Sequence, residues 1–178
     1  MGADIYLKSV SDKARAEREP EFSAAVAVRD SLTCSPLYDP NNSFKVIGPP
    51  EYVEAQRRVN EAYNKMHKDG YFRDSYNSGS LFWLLGLSWW TDVGDRLDDE
   101  GNLNADGLAW LKTELETREV PNEVDIAAYF QEKGRGAWGG EGEENPKELC
   151  EYYERERQAL IALVSQAQEL GEPLYCSV

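Results

Sequence analysis

Residues 70 to 90 read GYFRDSYNSGSLFWLLGLSWW, with seven aromatic residues in twenty-one positions and Arg73, Asp74 and Asn77 set among them. Two kinds of chemistry suit that mixture. Tyr71, Arg73, Asp74, Tyr76, Asn77 and Trp89 have the make-up of a pocket for a small ligand, apolar walls with a few polar groups to orient a guest, in a binder or a hydrolase. The same residues also suit a protein core. In that case the rings fill the interior, Asp74 or Asn77 caps the following helix, and Arg73 pairs with a carboxylate from the acidic half of the chain, since a buried charge without a partner is costly. The core reading is preferred, because aromatic clusters are mostly packing and no general base stands within the stretch.

Other motifs fail on context. Gly134 to Gly139, GRGAWG, matches GxGxxG, but a dinucleotide fingerprint needs a strand before it and a helix opening at the glycines. Here a helix precedes, and the next begins six residues later. By composition residues 134 to 145, GRGAWGGEGEEN, form a mobile loop, and they present Arg135 and Trp138, two residue types enriched at binding hot spots. Asp92 to Gly107 resembles a calcium loop until Gly101 is set at the invariant glycine. Arg96 then falls on the first ligand position and Gly107 on the twelfth, where a carboxylate is required.

The single histidine, His67, and three cysteines without a CxxC pair, Cys34, Cys150 and Cys176, are too few for a usual zinc site. His67 as activator of the Cys34 thiol is less economical than His67 as a helix-surface residue. There is no GxSxG elbow and no P-loop. No catalytic residue, metal or cofactor is therefore assigned, and a non-enzymatic role is the better expectation.

Charge offers a different lead. The net charge of −14 is unevenly spread: residues 1 to 91 hold 11 Lys/Arg and 12 Asp/Glu, whereas residues 92 to 178 hold 8 and 21. Glu141, Glu143, Glu144, Glu148, Glu151, Glu154 and Glu156 gather at one end of the last predicted helix. Carboxylates are stabilising at a helix N-terminus in any case. They also favour a protein partner with a basic surface and disfavour direct binding of nucleic acid, whose affinity comes from Lys and Arg. The longest apolar run, Leu81 to Leu87, is too short for a membrane helix. An odd cysteine count and the absence of an apolar leader point to a reduced, cytoplasmic setting.

The elements that must position these residues are legible from periodicity. ADIYLKSV, residues 3 to 10, alternates as a strand, and Ser11 caps a charged helical stretch expected to break at Pro20. After a proline-rich loop, with a possible strand at Phe44 to Ile47, a helix runs from Pro49-Pro50 to about Lys68 on a stripe of Tyr52, Ala55, Val59, Ala62 or Tyr63, and Met66. Ser80 caps a helix to about Trp90 that is apolar on every side and so must be buried. Asn104 and Asn122 cap the next two. Asn145, Pro146 and Glu148 open the last, which Gly171 ends. Leu174 to Val178 then forms a strand, paired with residues 3 to 10.

MGADIYL, GYFRDSYN and LGLSWW together resemble a group of uncharacterised bacterial and phage-encoded proteins that begin the same way. The resemblance implies a compact bacterial or phage domain and assigns no chemistry. The expected fold is α+β, a predominantly helical single domain over residues 1 to 178, with five or six helices and a small two- or three-stranded sheet joining the termini. The expected function is an acidic protein-interaction module, an inhibitor from a phage or mobile element that occupies a basic, nucleic-acid-binding surface of a partner enzyme. The alternative is a small-ligand binder or hydrolase with its pocket around residues 71 to 90.

Overall fold

The computed structural model describes residues 2–32, 37–39, 42–75, 79–133 and 145–177. They fall into two compact units, Met1–Lys8 with Tyr71–Val178, and Ser9–Gly70. The fold is α+β and mostly helical, as the sequence pattern requires.

In the first unit β1 (Gly2–Tyr6), β4 (Tyr71–Ser75), β5 (Asn102–Leu103) and β6 (Leu174–Ser177) form an antiparallel sheet in the order β4-β1-β6-β5. The two terminal strands pair as expected, Ile5 opposite Cys176. Two internal strands widen the sheet to four, because β1 also pairs with β4, Asp4 opposite Arg73, and β5 takes the far edge of β6. The twofold alternation of a strand sorts the side chains. Ala3, Ile5, Phe72, Leu103, Leu174 and Cys176 are buried on the inner face. On the outer face Tyr6 stands between its cross-strand partners Tyr71 and Tyr175, at ring separations of 5.1 and 6.2 Å, the arrangement by which neighbouring strands gain side-chain packing. Helices α4 (Ala105–Thr117), α5 (Glu123–Lys133) and α6 (Pro146–Leu170) complete this unit and contribute Leu111, Leu115, Ile126, Leu160 and Val164 to the core, all fully buried.

The caps predicted for the last three helices are present. Asn104 accepts from Gly107 N, Asn122 from Asp125 N, and Asn145 from Lys147 N while its amide donates to Glu148. Gly171 ends α6 in the left-handed conformation at φ 66°. Arg157 ties α6 to the end of α4: its guanidinium donates to the carbonyls of Leu115 and Arg118 at 2.6 and 3.2 Å and is held by a two-pronged contact with Glu154.

The second unit holds α1 (Lys8–Asp30) from Ser9 onward, the hairpin β2 (Leu37–Asp39) and β3 (Asn42–Ile47), and α2 (Pro50–Met66). Helix α2 buries the predicted stripe of Tyr52, Ala55, Val59, Ala62 and Met66. Two expectations need correcting. The first strand stops at Tyr6 and the helix begins at Lys8, so Ser11 lies inside the helix and does not cap it, since Leu7 and Val10 fit a helical stripe as readily as an alternating one. Helix α1 also runs on through Pro20 without a break. Proline removes only the bond to the carbonyl four residues back, Ala16, and both residues are exposed, so water can satisfy that group. Arg18 donates to Asp69 and to the Lys65 carbonyl, and Lys65 to Glu21, fastening α1 to α2.

Candidate functional site

Asp74 is the organising residue of the aromatic stretch. On β4 it follows Arg73, so the two side chains leave the sheet on opposite faces. The Asp74 carboxylate accepts four hydrogen bonds: Oδ1 from the backbone N–H of Ser75 and Leu81 at 2.9 and 3.0 Å, Oδ2 from the Phe82 N–H and the Trp89 indole at 3.0 and 2.9 Å. Ser80 adds its own cap to Trp83 N. One carboxylate thereby joins the end of β4 to α3 (Leu81–Leu84) and gathers residues eight and fifteen positions on. Burial raises the Asp74 carboxyl above its ordinary range, and the four donors only partly offset it.

The rings that Asp74 gathers belong to the core. Phe82 and Trp89 stack at 3.5 Å between centroids and are almost fully buried. Arg73 instead lies outside and pairs not with the acidic half but with Asp4, its Nε 3.6 Å from that carboxylate, which accepts a hydrogen bond from the Tyr71 hydroxyl at 2.5 Å. Of the six residues that suggested a pocket, the sheet therefore separates Tyr71 and Arg73 on one face from Asp74 and Trp89 on the other. Tyr76 and Asn77 lie outside the described residues.

The stretch departs from expectation beyond Leu84. An all-round apolar helix to Trp90 would be wholly buried. The helix has only four residues, Gly86 turns the chain at φ 66°, and a short π-helical turn, Trp89–Val93, follows. Trp83 is left 51% exposed and Trp90 61%. The doublet Trp89-Trp90 carried the signal, because in so short a turn neighbouring side chains cannot share one inward direction.

The acidic residues of α6 divide by their neighbours. Glu154 is held by Arg157 and Gln158, and its carboxyl is lowered mainly by the Arg157 contact. Glu151 lies 3.9 Å from Lys147, an exposed pair worth little. Glu148, Tyr152 and Glu156 fall in one column at intervals of four. Glu156 is half-buried; burial, with the Asp74 charge adding and Arg155 opposing, raises its carboxyl. Tyr152 is pushed up to about 12 by burial, then by Glu156 and Asp74. The neighbouring Tyr153 hydroxyl donates to the Gly79 carbonyl at 2.6 Å. The acidic column of α6 is thus fixed beside the entry to α3, a proximity that spacing alone did not reveal. Glu141, Glu143, Glu144, Arg135 and Trp138, with the glycine-rich loop up to residue 144, lie outside the described residues, as does Cys34.

The remaining candidates are structural where they are described. Asp98 accepts from Glu100 N and Asn102 N at 3.0 and 2.8 Å, making the acidic turn that leads to β5. His67 caps the end of α2 with its ring 4.4 Å from that of Tyr63. Burial pushes the Cys176 thiol up to about 12. No group of side chains suited to a metal ion occurs among the described residues, and no helix among them is long and apolar enough to cross a membrane. No family model, curated protein or solved structure matches the chain.

Proposed function

We propose that this protein is an acidic interaction module that docks on a basic surface of a protein partner, and that the surface it covers is a nucleic-acid-binding site of an enzyme, in the manner of a phage or mobile-element inhibitor. The observation that carries the reading is the placement of charge. Residues 9 to 70 hold 9 Lys/Arg and 10 Asp/Glu, whereas the other unit holds 10 and 23. Its exposed carboxylates include Asp95, Asp98, Asp99, Glu100, Asp106, Glu148 and Glu151. A field of one sign on one unit steers a basic partner and raises its rate of association, while it repels nucleic acid itself. The Asp74 network supports the reading indirectly. A carboxylate whose four acceptor positions are filled by backbone and indole donors is committed to structure and is poorly placed to act on a substrate.

Affinity capture from a bacterial lysate at low and at high salt tests the proposal, followed by titration of the purified partner. The expected partner is basic and is released at high salt. Glu148→Lys with Glu151→Lys should weaken its binding at only a small cost in stability, since both carboxylates are exposed and what is lost is the Asn145 amide contact to Glu148 and a weak pair with Lys147. Glu154 is unsuited to charge reversal because it holds Arg157. A partner indifferent to both salt and these substitutions rules the reading out.

A further inference from the structure

The two exposed tryptophans of the 81–93 segment each follow one member of a buried aromatic stack. Phe82 and Trp89 stack at 3.5 Å, and the Phe82 N–H and the Trp89 indole both bind Oδ2 of Asp74. Trp83 and Trp90 are the next residues after each member of that pair, so one buried stack ties together the two stretches of backbone that carry them. They are 51% and 61% exposed. Exposed Trp is among the costliest side chains to leave in water and is the residue type most enriched at binding hot spots. Helix α6 packs against β4, which carries Asp74, and against α3, and the Tyr153 hydroxyl of α6 bonds to the Gly79 carbonyl just before α3. Glu148, one turn before Tyr152 on that helix, is exposed to solvent.

We infer that Trp83 and Trp90 are the apolar anchors of the docking surface, with Glu148 and Glu156 as its acidic rim, and that the occupant is a basic protein segment that alternates cationic and apolar side chains. The inference rests on the function proposed above and adds where the partner sits and what it inserts. Charge complementarity selects the occupant. A second copy of this chain carries the same −14 and is repelled, whereas a lysine- or arginine-bearing segment is attracted by the rim and covers the indoles with its apolar residues.

Two synthetic peptides of equal length and charge separate the two ideas, one of lysine and leucine and one of lysine and serine. Both are titrated against the intact chain, with tryptophan fluorescence and calorimetry as readouts. The lysine–serine peptide reports on charge alone. The leucine peptide should bind more tightly by at least about tenfold, and Trp83→Ser with Trp90→Ser should abolish that difference while leaving lysine–serine binding unchanged. If the double substitution impairs folding, Trp83→Phe with Trp90→Phe should keep part of the leucine preference and lose the fluorescence change.

Equal binding of the two peptides, or a leucine preference that survives the serine substitutions, overturns the anchor assignment while leaving the charge reading intact. Failure of both peptides to bind at low salt overturns the charge reading with it. Partition into phosphatidylcholine vesicles that depends on both tryptophans would assign them to a lipid surface and overturn the inference as well.

Discussion

Replacing Asp74 by Asn keeps the size of the side chain but puts a donor where four N–H groups converge on an acceptor. At least one of those donors must be left without a partner, at a cost of about 1–3 kcal/mol each. Asp74→Asn should therefore lower the melting temperature and free the Trp89 indole, seen as a shifted fluorescence maximum. An unchanged melt would show that the network is incidental. Glu156 makes a separate claim. Its folded carboxyl titrates above the ordinary value, so its stabilising contribution is complete below that value and is lost as pH rises through the folded one. Glu156→Gln should match the native chain at acid pH and melt higher at and above neutrality. A difference of the same size at every pH would contradict the assignment. Cys176, pushed up to about 12 by burial, should resist thiol reagents until the chain unfolds.

At the scale of elements, sequence patterning was informative where the signal is local. Asn104, Asn145 and Gly171 mark helix ends because capping depends on residues within one turn, and the α2 stripe has one period throughout. The widening of the sheet by β4 and β5 depends on pairing across more than sixty residues, which no local pattern records. Leu81 to Trp90 misled for a related reason: composition says that apolar residues are buried, but only the turn at Gly86 decides which of them are. Charge grouping revealed the acidic character of the second half, but the approach of Glu156 to Asp74 and the ion pair of Glu154 emerge only from packing.

Two substitutions test the elements against simple propensity. Alanine favours helix over glycine by about 1 kcal/mol, yet a Cβ at Gly107 would overlap the Leu103 side chain where α4 crosses β5. Gly107→Ala should therefore destabilise, by about 1–3 kcal/mol. Pro20→Ala acts in the opposite direction: it restores the donor to the Ala16 carbonyl inside α1 and should stabilise that unit by about 1 kcal/mol or more. Equilibrium unfolding of each variant reads both signs. A stabilising Gly107→Ala would mean that the α4–β5 contact is looser than described.

For the whole molecule the governing quantity is a charge of −14, most of it on the unit that contains the sheet and α6. Self-repulsion of that size weakens the folded state at low ionic strength, so added salt should raise the melting temperature as the Debye length falls from about 30 Å at 0.01 M to about 8 Å at 0.15 M. The same screening must weaken docking, and the two opposite salt responses distinguish a functional acidic face from one that serves only solubility. The decisive measurement is the affinity of the captured basic partner across a range of salt, for the native chain and for Glu148→Lys with Glu151→Lys. Affinity should fall steeply with salt in the native chain, and the variant should bind more weakly with a shallower fall. Parallel curves of equal affinity, or a partner whose binding ignores salt, would contradict a functional acidic face.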